Sequence, residues 1–572
     1  TNSYNANNTY ATSQAISVAT GQTGTINMGN RMTLGGAVTG AGILNVVGQS
    51  TVSRDYLSNN WSGFTGQVNF SGSGNITLMN NGGSFNTTGF ANSTVSLAGT
   101  VFLQPSNNSF GNTYNIGALS GSSATAGLTS PTQGGASTWS IGSLGTSTTF
   151  AGQITNGNLT KVGTGTLTLT GANTFAGTTT IDKGTLYANT ANGANGRALS
   201  FTSGITVNNG GTLQSSANSL FGWDGTQEKT ITVNAGGTLA ANGGLTSDVG
   251  VGTVILNGGT MSTLAGGATD FGSFRFDDAT DKLQVTNNST ISAVNVKFGN
   301  ASAALEVAAG KTANFTGTIT DASAGGVSYL TKTGDGALNL TGTNTYTGAT
   351  QVNAGTLLVG DGTSGSLAAT VVTVGGATAT GTPTLSGRGT IGGATTISAA
   401  NGGVVGIHAP GIAGVNNGVG NQTFSSTLNY GSGSIFEWDL SAASASDIGV
   451  VADGATGTYD TVVANGAVTG GSAIFKVMLG GNTFADAFWD TDKSWSNIFS
   501  GTGAPVSLAS IFSSFSATGG LDSTGVVDSE GQFTFNGSTA TLNWTAYSAV
   551  PEPTSSLVGL LVAAGLMRRR RA

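Results

Sequence analysis

A block that occurs twice in the chain sets the strongest limit on the fold. Leu159 to Leu186 reads LTKVGTGTLTLTGANTFAGTTTIDKGTL, and Leu330 to Leu357 reads LTKTGDGALNLTGTNTYTGATQVNAGTL. The two blocks align without a gap, and 16 of their 28 positions are identical. Copies this similar and this far apart predict a fold that stacks one structural unit many times.

The block has the pattern of β-strands separated by turns. Residues 166–170 read TLTLT, so leucines alternate with threonines as in a half-buried strand. Glycines at positions 163, 165, 171 and 177 interrupt the strands where tight turns need positive φ. An apolar stripe with the period of an α-helix is missing outside residues 550–572, so the body is predicted to be all-β.

A shorter period lies within the larger one. The segments TIDKGTL, TVNNGGTL, TVNAGGTL and ILNGGTM place Thr185, Thr212, Thr238 and Thr260 at nearly regular spacings. One turn of a β-helix uses roughly 22–27 residues, as these spacings do, so each segment is predicted to lie over the previous one. The polar residues before the turns then form a column that can hydrogen-bond as a ladder. This column consists of Asp182, Asn208, Asn234 and Asn257. A row of ligand-binding amides is the alternative interpretation.

The repeated block resembles the autotransporter-associated β-strand repeat of passenger domains and other large surface proteins. In that family the repeat forms rungs of a right-handed parallel β-helix. The resemblance implies an all-β, right-handed parallel β-helix (solenoid) over residues 1–415. Residues 57–70, LSNNWSGFTGQVNF, resemble the block more loosely, which indicates that the helix begins well before residue 50.

The sequence changes character near residue 387. Residues 385–411 resemble the segment that closes such repeat arrays, in which a Leu-Ala-Pro-Gly-like turn is usual. Ala409-Pro410-Gly411 fits this turn, but His408 stands in the place of the leucine. Residues 416–549 are richer in Phe and Trp, and we expect a mostly β C-terminal cap with one or two short helices around 484–512.

Residues 550–572 form a distinct tail. Pro551-Glu552-Pro553 is followed by a short apolar run from Ser555 to Met567 and then by four arginines. This order closely resembles the PEP-CTERM sorting signal, which a membrane-embedded exosortase recognises and removes. An independent spanning helix needs about 20 residues, so the short hydrophobic helix is predicted to be a temporary anchor. The residues implied in sorting are Pro551, Glu552, Pro553, Arg568, Arg569, Arg570 and Arg571. A plain tail anchor and a disordered end are the alternatives.

Composition and the ends of the sequence limit the classes of function. The chain opens at Thr1 with neither Met nor an apolar export segment, so we expect that a signal peptide has been removed. Lys and Arg number 18 against 25 Asp and Glu, and four of the arginines lie in the tail, so no basic surface for nucleic acid is expected. Because the chain has no Cys, disulfides, thiolate catalysis and cysteine metal sites are excluded.

One charged cluster, within residues 270–282, is a candidate for catalysis. It contains Asp270, Arg275, Asp277, Asp278, Asp281 and Lys282. Polysaccharide lyases of the β-helix fold use carboxylates with calcium and a Lys or Arg base, and paired carboxylates also serve glycoside hydrolysis. The sequence shows no second charged cluster beside this one and no long insertion. A solvated loop is therefore the favoured interpretation.

Two further candidates are weaker. Asp490 to Ser494 opens like a calcium loop, but Trp495 replaces the turn glycine and Gly501 the bidentate glutamate. The neighbouring Trp489 and Trp495 could stack on sugar rings or pack in the core. His408 is the only histidine, and no suitable nucleophile elbow accompanies it. We expect no metal and no cofactor.

The sequence thus predicts an exported, non-enzymatic protein of the cell surface or extracellular matrix. We expect processing by exosortase, transient contact of the tail with the inner membrane, and association with exopolysaccharide, biofilm or other surface glycans. A β-helix polysaccharide lyase or glycoside hydrolase is one alternative, and an adhesin is another.

Overall fold

The computed structural model describes most of the chain outside its two ends. The described residues are 10–29, 32–49, 55–58, 60–78, 86–106, 111–130, 136–189, 198–199, 201–215, 229–242, 248–264, 274–321, 326–415, 418–440, 459–479, 483–484, 487–505, 507–517, 521–528 and 530–547. They contain no α-helix, and short 3-10 helices span Ala487–Asp490 and Leu508–Ser510. The chain divides into two compact units, residues 1–357 with 364–371 and residues 358–363 with 372–572.

The first unit is dominated by one sheet in which successive strands pair in parallel. Its strands are Tyr10–Thr12, Thr23–Asn27, Met32–Leu34, Ile43–Gln49, Asp55–Leu57, Gln67–Leu78, Phe90–Leu97, Thr100–Pro105, Thr113–Ser120, Gly127–Thr129, Thr138–Ile141, Gln153–Thr155, Asn158–Lys161, Thr179–Ile181, Ile205–Val207, Ile231–Asn234, Thr253–Asn257, Lys282–Asn287, Ala304–Val307, Leu330–Thr333 and Thr350–Val352. Parallel pairing is therefore present from residue 10 onward, well before residue 50.

A second parallel sheet of this unit supplies another side of each rung. Its strands are Thr148–Phe150, Thr166–Leu169, Gly184–Ala188, Gly211–Ser215, Thr238–Ala241, Thr260–Thr263, Ser289–Ile291, Thr312–Phe315 and Ala337–Leu340. Smaller parallel groups are Ile16–Val18 with Val38–Gly40, Val249–Gly250 with Phe274–Phe276 and Lys297–Phe298, and Thr343–Asn344 with Ser366–Leu367. Strand Thr356–Val359 contains the division between the units.

The register in the second sheet shows how the repeat folds. Residue 166 pairs with 185, then 212, 238, 260 and 290 in turn, and all six are threonines. The next residue in each strand forms a parallel column of Leu167, Leu186, Leu213, Leu239, Met261 and Ile291, each at most 2% exposed. Because side chains alternate along a strand, one column fills the core and the other faces outward. The predicted all-β fold with parallel β-helix stacking is confirmed.

Glycines shared by the two blocks allow rungs to approach closely. Gly163 and Gly334 have φ of +67° and +70°, a region that other residues rarely adopt. A Cβ on Gly171 would lie 2.0 Å from the carbonyl oxygen of Gly152. On the equivalent Gly342 it would lie 1.7 Å from the oxygen of Gly317. Neither contact is tolerable, so these positions require glycine.

The second unit is also a parallel β-helix, with three sheets. The first contains Val372–Val374, Thr395–Ile397, Leu428–Tyr430 and Val468–Thr469. The second contains Thr384–Gly387, Ile407–Pro410, Ile435–Asp439, Ala473–Met478 and Phe512–Ala517. The third contains Thr390–Ile391, Asn421–Phe424, Thr461–Ala464 and Phe499–Ser500.

Parallel stacking in this unit continues beyond residue 415, as far as the strand Phe512–Ala517. An antiparallel four-stranded sheet contains Lys493–Trp495, Val526–Val527, Gly531–Phe535 and Leu542–Ala546. Aromatic side chains rather than leucines fill these last rungs, as in the contact of Phe436 with Phe475 at 5.4 Å between ring centroids. The predicted C-terminal hydrophobic helix lies outside the described residues.

Candidate functional site

Each copy of the repeat buries one lysine. Lys161 and Lys332 are at most 1% exposed. The Lys161 Nζ donates to the carbonyl oxygens of Val162 at 2.6 Å, Gly163 at 2.7 Å and Lys183 at 3.1 Å.

Lys332 repeats this arrangement in the second copy. Its Nζ donates to the carbonyl oxygens of Thr333 at 3.0 Å, Gly334 at 2.6 Å and Ala354 at 2.9 Å. Burial lowers the pKa of each lysine to about 8, so both ammonium groups are protonated at pH 7. All three donors of each ammonium have a backbone acceptor, and each lysine therefore joins two neighbouring rungs.

The repeat also contributes a buried asparagine that joins three rungs. Asn173 accepts a hydrogen bond from the Ile154 amide at 2.8 Å and donates to the carbonyls of Gly171 and Ala198 at 3.2 and 3.3 Å. Asn344 makes the equivalent bonds to Ile319, Gly342 and Ser366, at 2.9, 2.9 and 3.1 Å. Both side chains are at most 1% exposed, so they bind backbone and are closed to an external ligand.

The predicted polar column lies along the main sheet of the first unit. Asn208 donates to Asp182 at 2.7 Å, Asn234 to Asn208 at 2.8 Å, and Asn257 to Asn234 at 3.1 Å. Each inner asparagine donates to one neighbour and accepts from the other. The amides therefore form hydrogen bonds with one another along the column, as in a structural ladder.

Ion pairs and turn bonds organise the charged cluster around residue 277. Arg275 forms an ion pair with Asp277, and both side chains are about one-third exposed. The Oδ2 of Asp281 accepts from the amides of Asp277 at 2.7 Å and Asp278 at 2.8 Å, so this carboxylate caps the turn. Lys282 is exposed, and Asp270 lies outside the described residues.

The structure places a second charged pair beside this cluster, Asp248 with Lys297, from the rungs on either side of the one that carries Arg275. Their side chains are 6% and 1% exposed, and the Lys297 Nζ lies 3.0 and 3.1 Å from the two carboxylate oxygens. Arg275 pairs in register with Lys297. Burial raises the pKa of Asp248, an effect that the hydrogen bond from Lys297 partly offsets.

Burial also raises the pKa of Asp277, whose ion pair with Arg275 works in the opposite direction. The carboxylates of the cluster thus serve mainly to neutralise bases and to cap a turn. Across the described part of the chain, no group of three or more His, Cys, Asp or Glu side chains is arranged to hold a metal ion.

Residues 490–494 run into the antiparallel sheet, because Lys493–Trp495 is one of its strands. Asp492 accepts from the Ala546 amide at 3.0 Å, and the Ser494 hydroxyl donates to Asn543 at 2.9 Å. Trp489 and Trp495 are 1% and 4% exposed, so they pack in the core and offer no open platform for a sugar ring.

His408 is fully buried in a hydrogen-bonded network of the second unit. Its Nδ1 lies 2.6 Å from the Tyr430 hydroxyl and its Nε2 2.9 Å from the Gln422 Oε1. Gln422 in turn donates to the Ser386 carbonyl at 3.0 Å. Burial lowers the pKa of His408 to about 4, so the ring is neutral at pH 7. The His408 side chain is inaccessible to a substrate and is part of the core, at the position where the sequence comparison expects a leucine.

The sorting residues 551–553 and 568–571 lie outside the described residues. Among the residues that the structure does describe, no helix has both the length and the apolar character needed to span a bilayer.

Sequence reasoning missed Lys161, Lys332, Asp248 and Lys297. The first two lysines carried a signal, since each follows Leu-Thr in the identical start of a block and so falls on the inward side of a strand. Asp248 and Lys297 carried none, because they are 49 residues apart and meet only through stacking.

Comparison with known proteins matches two segments, residues 159–188 and 330–359, to the family described as Passenger-associated-transport-repeat. No curated protein matches the chain. The matched segments contain the buried lysines and asparagines described above. The chain therefore carries two repeats similar to those of autotransporter passengers, which indicates a passenger-like surface protein.

Proposed function

We propose that this protein is an exported structural component of the cell surface or extracellular matrix and is not an enzyme. The observation that carries the proposal is the role of the repeats. Their shared polar side chains, Lys161, Lys332, Asn173 and Asn344, bond to the backbone of neighbouring rungs. Such a repeat holds a β-helix together without metals or disulfides.

Delivery is proposed to depend on the tail. An exosortase would recognise Pro551-Glu552-Pro553 while the apolar run contacts the inner membrane and the arginines stay on the cytoplasmic side. Support for this step comes from the order of motif, apolar run and basic cluster in the sequence.

Association with exopolysaccharide or biofilm matrix is proposed for the outward face of the rungs. The threonines at 185, 212, 238 and 260 stand in register and are partly exposed, which gives a neutral, hydroxyl-rich surface. An adhesin for other cells would use the same architecture and differ only in its ligand.

C-terminal peptide mapping of protein from its native cells tests the sorting step. We expect protein from the surface and the medium to lack everything after the Pro551–Pro553 region, and the membrane pool to retain it. An intact Arg568–Arg571 end in the exported pool would refute processing. A deletion strain with unchanged matrix composition and surface properties would refute the matrix role.

The enzymatic alternative has its own test at the charged cluster. Purified protein is incubated with acidic and neutral glycans, and reducing ends and unsaturated uronates are measured. We expect neither to form. Products that disappear in Asp277→Ala and persist in Asp528→Ala, a change in the other unit, would replace the structural proposal with a lyase or hydrolase.

A further inference from the structure

We propose that Lys297 and Asp248 form an intramolecular isopeptide bond, a covalent cross-link that spans the rung lying between theirs. The proposal is independent of the function assigned above. It starts from the geometry of the pair, in which Nζ lies 3.0 Å from one carboxylate oxygen and 3.1 Å from the other. The carbon joining the two oxygens is then within roughly 3.5 Å of the nitrogen, the separation of reactants poised for attack.

The side chains of the pair are buried. Lys297 is 1% exposed and Asp248 is 6% exposed. The three strands of this sheet contribute Val249, Phe274, Phe276 and Phe298, all fully buried, and the rings of Phe276 and Phe298 stack at 5.0 Å. Burial raises the pKa of Asp248, which favours the carboxylic acid that amide formation needs.

The nearby positive charges act against burial, because Lys297 and Arg275 both lower the pKa of Asp248. Arg275 stands opposite Lys297 in the register, and Asp277 is close enough to Asp248 for the two carboxylates to interact. Two carboxylates near one another favour the protonated form of one of them. Burial raises the pKa of both Asp248 and Asp277, in keeping with a site that holds a carboxylic acid.

The reaction balances without any other reagent. Proton transfer within the pair gives the Lys297 amine and the Asp248 carboxylic acid. The nitrogen lone pair forms a bond to Cγ, the bond from Cγ to one oxygen breaks, and that oxygen leaves as water with the acid proton and one amine proton. Nothing is oxidised or reduced, and the product is a neutral secondary amide.

A cross-link at this place would join rungs covalently in a chain that cannot form disulfides. The chain has no cysteine, so no disulfide can close a loop between rungs. Lys297 and Asp248 are 49 residues apart, so the bond would hold three strands of the β-helix in one closed loop.

Mass spectrometry of the folded full-length protein after tryptic digestion tests the proposal. Trypsin cuts after Lys229, Arg275, Lys282, Lys297 and Lys311, so an unlinked chain releases residues 230–275, 283–297 and 298–311 separately. The cross-link blocks cleavage after Lys297. We expect a branched species that joins 230–275 to 283–311 and is lighter than the sum of its parts by one water.

The molecule contains its own control. Lys476 lies 2.7 Å from Glu437, but the two side chains are 26% and 20% exposed and remain hydrated. This pair should yield only unlinked peptides. Lys297→Met should yield no branched species, and a branched species that survives this change would refute the assignment. Complete release of unmodified 283–297 from folded wild-type protein would overturn the proposal without reliance on any variant.

Discussion

Acid should weaken the core around His408 through the titration of this one side chain. The Gln422 amide donates to the Ser386 carbonyl, so its oxygen faces Nε2 and the neutral ring carries its proton there. The Tyr430 hydroxyl then donates to Nδ1. A second ring proton would remove the acceptor of this bond and place a charge among buried aromatic rings.

The size of the effect follows from the two pKa values of His408. Burial lowers the pKa from 6.5 to about 4 in the folded protein. The unfolded chain takes up a proton as the pH falls through 6.5, whereas the folded chain stays neutral until about pH 4. The contribution of neutral His408 to the free energy of unfolding is complete above pH 6.5. It falls by roughly 3 kcal/mol in total as the pH drops from 6.5 to about 4.

Hydrogen exchange in the strands Ile407–Pro410 and Ile435–Asp439 reports the local opening free energy. The wild type is compared at pH 7 and pH 4 with the triple variant His408→Leu, Gln422→Leu and Tyr430→Phe, which removes the titrating ring together with both of its hydrogen-bond partners. Other titrating groups, including Asp439, occur in both proteins and cancel in the difference. We expect the wild type to lose roughly 2–3 kcal/mol relative to the variant. Equal pH dependence in the two proteins would refute the argument.

Three further outcomes follow from the structure. Lys161→Met removes the donor of three part-buried hydrogen bonds and should lower the free energy of unfolding by roughly 3 kcal/mol in thermal melts. Lys183→Met, at an exposed position, should have little effect, and equal losses would contradict the role of the three hydrogen bonds of the Lys161 ammonium. Asn234→Ala removes two ladder bonds and should cost about 1–2 kcal/mol by denaturant titration, whereas the exposed Asn209→Ala should cost far less. Chelation of calcium should leave the melting temperature unchanged, and a rise on adding calcium would restore residues 490–494 as a binding loop.

The sequence predicts what depends on a fixed distance along the chain. The column from Asp182 to Asn257 follows from the spacing of its turns, since a parallel register places equivalent residues over one another. The alternation in residues 166–170 predicts which side chains are buried, as Leu167 and Leu169 show at 2% and 0% exposure.

Contacts that depend on rung length are not predictable in this way. The register pairs Gly250 with Arg275 and Arg275 with Lys297, and these two spacings differ, so no common period relates Asp248 to Lys297. The buried Lys161 was missed for another reason, because lysine is usually exposed and its cage consists of backbone carbonyls that any sequence possesses. Beyond residue 415, aromatic residues take over the interior, and the change in composition conceals the parallel stacking that continues there.

The hydrogen bonds of Lys161 and Lys332 to backbone carbonyls bear on how such a chain can evolve. Each lysine bonds only to backbone carbonyls of its own rung and the next, so its bonds do not depend on the side chains of distant rungs. A duplicated segment that carries the lysine, its glycine turn and the buried asparagine can form the same hydrogen bonds between rungs wherever it is inserted. Recombination can therefore lengthen such a chain by whole turns, while the sequence between the repeats is free to change.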